Sequence, residues 1–361
     1  MDNTFKIPFY ARVALIFIGV FACFFTMQVG QHIIVPIVYA TIIAILLNPL
    51  VNYLMRKGMN KIIAIALAVL LAILVVIGFV YIISTQLSMF RDTYPQLERK
   101  FVIVSEQLVR WIADKFKIDK SRVNEWIKGA QGEALNQLAL GERLTEAGRM
   151  MITGMLLPVY LFMILYYKPL LLDFIRRLFR SEHHVAVSEV LANSKRIIQS
   201  YLIGLFFEMI IIAVLNSAGL LLLGIDYAII LGITGAILNI IPYIGGIIAI
   251  TLPVVIAFVT KDSPTYALMV FGVYILIQFI DNHYIIPRIV ASRVQINALM
   301  SVIVVLIGAA VWGVPGMFVS IPLTAIVKVI FDHVENLKPW GFLLGNIVPT
   351  ASRFSFMNQK K

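Results

Sequence analysis

The sequence predicts an all-α, polytopic membrane protein, and three observations carry that prediction. Of its 361 residues, 60% are hydrophobic and only 14% charged, with a mean hydropathy of +0.92. A water-soluble domain of this size does not cover so much apolar surface with so few charges. Runs such as IIAIALAVLLAILVVIGFVYII (62–83) exceed the roughly 20 residues needed to cross a hydrocarbon core. Finally, the short basic loops all fall on one side of a single threading of the chain.

Taken in order, membrane segments are read at 13–29, 33–50, 61–83, 150–167, 201–223, 227–259, 265–286 and 297–331. The sixth and eighth are long and interrupted by Pro and Gly. The count is therefore about six full transmembrane helices plus two broken, hairpin-like segments, or eight or more spans if the broken ones cross. The first segment is too long, and too closely followed by the second, for a cleavable signal peptide. The single Cys23 lies inside it and supports neither a disulfide framework nor a metal cluster.

Lys6 and Arg12 precede the first span, and Arg56, Lys57 and Lys61 follow the second. Lys168, Arg176, Arg177, Arg180, Lys195 and Arg196 lie between the fourth and fifth. Arg288 and Arg293 follow the seventh, and Lys338, Arg353, Lys360 and Lys361 close the chain. All share one face if both termini are cytoplasmic. The net charge of +11 is thereby explained by the positive-inside rule. Nucleic acid is not an expected partner, because no basic run is interleaved with aromatics as single-strand binding requires.

The chain divides by pattern into three N-terminal transmembrane helices (1–83), an extracytoplasmic helical insert (84–149), and a fourth span with an amphipathic cytoplasmic connector (150–200). A transport core (201–331) and a cytoplasmic tail (332–361) follow. Within the insert, Leu87, Phe90, Tyr94, Leu97, Phe101, Val104, Leu108 and Trp111 recur at alternating steps of three and four, with Pro95 interrupting them. That stripe belongs to a helix seeking an apolar partner. It lies on its own protein or on lipid, or it joins subunits of a homo-oligomer. In the connector, DFIRRLF suits an interfacial helix whose Arg pair meets lipid headgroups.

The two broken segments resemble one another. In GITGAILNIIPYIGGIIAITLPVVIA (232–257) the punctuation is Pro242, Gly245, Gly246 and Pro253; in LIGAAVWGVPGMFVSIPLTAIV (306–327) it is Pro315, Gly316 and Pro322. Backbone groups freed at such a break cannot face lipid, so the break must be buried in protein or line a watery cavity. Each segment is either a hairpin turning inside the membrane or a pair of short tilted spans. The short halves favour hairpins. The units 201–259 and 265–331 then form an inverted repeat, the arrangement that marks a transporter's substrate site.

No catalytic constellation is present: there is no phosphate-binding loop, zinc-protease helix, dinucleotide fingerprint or nucleophile elbow. The expectation is a non-enzyme without cofactor. His183 and His184 lack the spaced companions a metal site needs. The candidates are polar groups at membrane depth, where an ionisable side chain costs at least about 2.5 kcal/mol unless it is paired or faces a cavity. Glu208 lies about 12 Å along the fifth span, either as a proton- or cation-binding carboxylate or as a protonated acid bonded between helices. Asn239 precedes the first break, as an amide ligand or a helix cap. Asp281 and Asn282 come just before Pro287, where Asp281 either pairs with Arg288 or reaches water.

The combination ILNIIPYIGGIIAITLP, QFIDNHYIIPRIVASRVQINAL and VWGVPGMFVSIPLTAI resembles the autoinducer-2 exporter family of bacterial membrane proteins. The likeness covers most of the chain, with its specific motifs confined to 232–327. It implies a multi-pass secondary transporter of the bacterial inner membrane, with both termini cytoplasmic. Members are linked to export of autoinducer-2, a quorum-sensing signal, and some to sodium/proton antiport. The implied partners are the lipid bilayer, a small polar solute, and a monovalent cation or proton. Carried onto this sequence, the motif positions are Asn239, Pro242, Tyr243, Gly245, Gly246, Asp281, Asn282, Pro287, Arg288, Gly313, Pro315, Gly316 and Pro322. Many relatives have Glu at the position of Asp281, and a Gly-Gln pair where this chain has Gly204 and Leu205. A third reading, a scaffold that transports nothing, leaves the broken helices and buried carboxyls without a purpose.

Overall fold

The computed structural model describes residues 8–82, 84–85, 99, 103, 140–241, 244–261, 263–290 and 295–346. The apolar stripe of the 84–149 insert, Pro242, Tyr243 and Arg293 lie outside the described residues. Among the described residues the chain is helical, with one isolated antiparallel bridge between Ile296 and Gly345.

In chain order the helices are α1 (Phe9–Val29), α2 (Gln31–Arg56), α3 (Lys61–Ile82), α4 (Leu140–Leu178) and α5 (His184–Leu222). They continue with α6 (Ala228–Asn239), α7 (Ile244–Thr260), α8 (Thr265–Ile280), a π-helical stretch (Asp281–Val290), α9 (Ala298–His333) and α10 (Lys338–Leu344). Seven described helices are long and apolar enough to cross a membrane, while α6 and α7 are shorter. The protein is an all-α, multi-pass membrane protein. Between α4 and α5 there is no separate connector helix beyond a single 3₁₀ turn: α4 runs on to Leu178 and α5 begins at His184. Polar residues extend these helices because the last turns of a spanning helix can lie in water.

The fold comprises two compact units. One contains His32–Lys168 and Phe206–Tyr284. Ala40, Ala44 and Val51 of α2, Ala64, Ile65 and Ala68 of α3, and Leu161 and Leu165 of α4 form one of its cores. Alanines recur in it because lipid is as apolar as leucine, so helices in a membrane gain by close backbone approach rather than by hiding from water. Lys168 donates to Asn48 Oδ1 at 2.8 Å, and Lys61 donates to the Tyr166 carbonyl at 2.8 Å, joining α4 to α2 and to the start of α3. The second core joins α5 to α8 through Leu220, Ile225, Ala228, Leu231, Ile256, Ala257, Val270 and Tyr274.

Within this unit, α6 and α7 form a helical hairpin. A Cβ placed on Gly245 would overlap the Leu238 carbonyl, one on Gly246 would stand 3.3 Å from Asn239 Oδ1, and one on Gly235 would stand 3.6 Å from the Ala249 Cβ. These pairs place the end of α6 against the start of α7 in reverse order, so the two helices run antiparallel. The 12 residues of α6 rise about 18 Å, short of the roughly 30 Å core.

The other unit contains Met1–Gln31, Pro169–Leu205 and Ile285–Lys361. Here α9 folds back on itself at Gly313, whose φ of 63° and ψ of −144° are foreign to a helix. Gly308 and Gly316 flank the reversal so closely that a Cβ on either would overlap the other's carbonyl oxygen. The second broken segment is therefore also a helical hairpin. Trp312, at its tip, donates Nε1–H to the Met27 carbonyl at 2.9 Å and ties it to the end of α1. At its start Asn297 accepts from the Met300 amide at 2.9 Å and donates to the Leu343 and Gly345 carbonyls at 2.7 and 3.0 Å. One side chain thus caps α9 and holds α10.

Candidate functional site

The second half of α5 turns Glu208, Ile212, Asn216 and Leu220 inward. This four-residue interval keeps one face of the helix toward its neighbours. On α8 the inward set is Val270, Tyr274 and Ile277, continuing to Asp281 where the helix widens into its π-helical stretch. Such widened turns recur at functional sites because they re-aim side chains and loosen the regular carbonyl ladder. Glycines let these helices close up. A Cβ on Gly219 of α5 would come within 2.5 Å of Val273 on α8, and one on Gly232 of α6 within 2.5 Å of the Ser217 backbone nitrogen.

At one end of this bundle the polar groups converge. Asn239, at the last turn of α6, donates its side-chain amide to Asp281 Oδ2 at 3.0 Å. Asp281 is 0% exposed and Glu208 5% exposed. The two carboxyls are close enough to interact electrostatically. Asp281 Oδ1 and Glu208 Oε2 have no hydrogen-bond partner among the described residues. Gln278, nearly one turn before Asp281, brings its Oε1 beside Gly246 at the opening of α7. Two carboxyls, two amides and a hairpin break thus meet within one helical unit. Among the described residues no three His, Cys, Asp or Glu side chains gather as a metal site would require. Oxygen and amide donors in a dry setting suit a proton or a hard monovalent cation.

A second polar layer lies eight residues further along α5, about 12 Å by helical rise. It consists of Asn216, Tyr274 and Thr234. Asn216 Oδ1, Tyr274 Oη and Thr234 Oγ1 are buried without a partner among the described residues. A Cβ on Gly235 would stand 3.3 Å from the Asn216 amide and 3.5 Å from the Tyr274 hydroxyl. Buried polar atoms are normally hydrogen-bonded, so a run of orphans points to a place that water or a solute visits.

The structure brings Glu208, Asn239, Gly245, Gly246 and Asp281 of the sequence candidates into one place. Asp281 corrects an expectation: it neither reaches water nor lies at a surface, and its hydrogen bond comes from Asn239. Asn239 serves as that donor rather than as a cap. Asn282, Pro287 and Arg288 are exposed. Gly313, Pro315, Gly316 and Pro322 build the hairpin of the other unit, with Gly316 and Pro322 buried and Pro315 exposed. Pro242 and Tyr243 lie outside the described residues. Sequence reading missed Asn216, Thr234, Tyr274 and Gln278. The signal was available: Asn216 follows Glu208 by two turns, and Tyr274, Gln278 and Asp281 share one face of α8.

A multi-pass helical protein with two helical hairpins and a buried carboxyl pair beside one of them is built as a membrane transporter. The chain belongs to the AI-2E transporter family, whose model matches residues 13–336. Among its relatives, the AI-2 transport protein TqsA of Escherichia coli K12 is 25% identical over 319 residues, 88% of this chain and 91% of TqsA. YueF of Bacillus subtilis, named as a candidate transport protein, is 37% identical over 120 residues, 33% of this chain and 32% of YueF. PerM of Escherichia coli K12, named as a candidate permease, is 25% identical over 209 residues, covering 56% and 59%. The chain thus spans about a third of the length of YueF and more than half that of PerM.

Proposed function

We propose that this protein is a secondary transporter that exports a small polar solute of the autoinducer-2 class, driven by an ion gradient bound at the Glu208–Asp281 pair. The observation that carries this reading is the burial of two carboxyls in one unit, Glu208 on α5 and Asp281 at the end of α8, the second bonded to Asn239 beside the hairpin break. Each buried ionisable group costs several kcal/mol in a membrane, and ion coupling is the use that offsets such a cost. The name of the relative TqsA supplies the solute class. The setting that fits is a bacterial inner membrane with both termini cytoplasmic, the two hairpins re-entrant, and 201–331 as the transport core. A homo-oligomer formed through the 84–149 stripe accords with that picture.

The carboxyl pair also supports a second reading, a sodium/proton antiporter that carries no solute. Reconstituted vesicles separate the two. A panel of solutes is tested with proton and sodium gradients imposed one at a time. Solute flux that follows one gradient supports export; proton movement that requires sodium and ignores every solute supports antiport. Saturating flux that ignores both gradients removes the ion-coupled proposal.

A further inference from the structure

A cavity of about 340 Å³ opens between the first part of α5 and the last turns of α9, both in the same unit. Asn193, Arg196 and Ile197 line it from α5, Lys328, Asp332 and His333 from α9, and Gln295 from the segment before α9. It takes no part in the carboxyl site, which belongs to the other unit. We propose that this cavity binds a phosphate-bearing group, either a soluble phosphate ester or a phospholipid headgroup.

Charge and donor geometry carry the proposal. Two cations, Arg196 and Lys328, face one lining carboxylate, Asp332. The Lys328 ammonium spends one of its three donors on Asp332 Oδ2 at 2.6 Å and keeps two. Arg196 forms no ion pair with a described residue, so its donor fork is available at the cavity wall. His333 directs Nδ1 to the Val329 carbonyl at 2.7 Å, while Nε2 looks toward Glu189 Oε2 at 4.0 Å. The amides of Asn193 and Gln295 add neutral donors. These groups approach from two helices and a connecting segment. A tetrahedral phosphate accepts from donors arranged in three dimensions, whereas a carboxylate accepts chiefly in its own plane. The volume exceeds a bare phosphate and lies in the range of small-ligand pockets.

Gln295 supplies an independent observation. Its φ of 49° places a non-glycine residue in the left-handed region, a strained conformation that clusters at ligand clamps. The strained residue is one that lines the cavity.

The test uses the full chain in nanodiscs, with thermal unfolding as the readout and chloride at matched ionic strength as the control. One arm titrates inorganic phosphate in phosphatidylcholine discs; the other replaces phosphatidylcholine by phosphatidylglycerol. The expected result is a saturable rise in the unfolding midpoint in at least one arm. R196Q should weaken the apparent affinity at least about tenfold, equivalent to 1.4 kcal/mol. D332N frees Lys328 and should tighten it. R180Q, which removes an exposed Arg beside Glu182 outside the cavity, should leave it unchanged. A response to phosphate assigns a soluble ester, and a response confined to phosphatidylglycerol assigns a lipid headgroup. No response beyond chloride in either arm, or equal losses for R196Q and R180Q, overturns the proposal. If D332N fails to fold, R196Q still decides, because Arg196 is exposed.

Discussion

Asn239 and Asp281 are 42 positions apart, yet the amide of one donates to the carboxylate of the other at 3.0 Å. Through that bond the break of the first hairpin is tied to the end of α8. A hydrogen bond contributes about 0.5–1.5 kcal/mol, and losing one partner strands the other in a dry place at a cost of about 1–3 kcal/mol.

Asp281→Asn keeps a side-chain oxygen to accept from Asn239 but removes the charge. The variant should fold, with unchanged helix content by circular dichroism, and lose at least about tenfold of gradient-driven flux in vesicles, since the lost ion contact is worth more than 1.4 kcal/mol. Retention of full gradient-driven flux would remove Asp281 from the coupling site.

Glu208→Gln should also uncouple flux from the gradient. On the proposed reading both carboxyls bind one ion, so the two losses should not multiply. The double variant is expected to be no slower than the slower single variant. Losses that multiply in a double-mutant cycle would mean two independent sites.

Gly316→Ala tests the second hairpin. The added methyl would overlap the Gly308 carbonyl and stand 3.0 Å from the Trp312 Cβ, and a backbone carbonyl cannot swing away. A loss of about 1–3 kcal/mol is expected, seen as a lower unfolding midpoint in detergent. Gly19→Ala is the control: nothing lies within 4 Å of the new methyl, and alanine in a helix is favoured by up to about 1 kcal/mol.

Gly313→Ala separates conformation from crowding. Nothing lies within 4 Å of an added Cβ, but the residue sits at φ 63°. The expected cost is about 1–3 kcal/mol from backbone strain alone. An unchanged midpoint would show that the turn relaxes without it.

Asn297→Ala removes the cap of α9 and both bonds to the carbonyls at the end of α10, Leu343 and Gly345. Loss of the cap costs about 1 kcal/mol. Proteolysis at the end of α10 should accelerate while the midpoint falls only modestly. Equal proteolysis rates would mean that α10 is held by its apolar contacts instead.

Much of the fold was legible in the chain. Composition and apolar run length determine a multi-pass helical membrane protein, because lipid offers no partner to a bare peptide group and spanning segments must satisfy their own backbones. The Pro and Gly clusters marked both reversals, and Glu208 and Asp281 stood out as charges at membrane depth. Family motifs pointed to a transporter. What the sequence could not contain was which polar residues meet. Asp281 has Arg288 as its near neighbour in sequence, but the tertiary structure supplies Asn239 from the first hairpin and sets Glu208 within electrostatic reach. Asn216, Thr234 and Tyr274 read as isolated polar positions until α5, α6 and α8 pack them around Gly235. Burial depth and partner choice come from helix–helix packing, which small residues set through close backbone approach. Helical periodicity fixes only the face on which a side chain lies; the helix that packs against that face decides what the side chain touches.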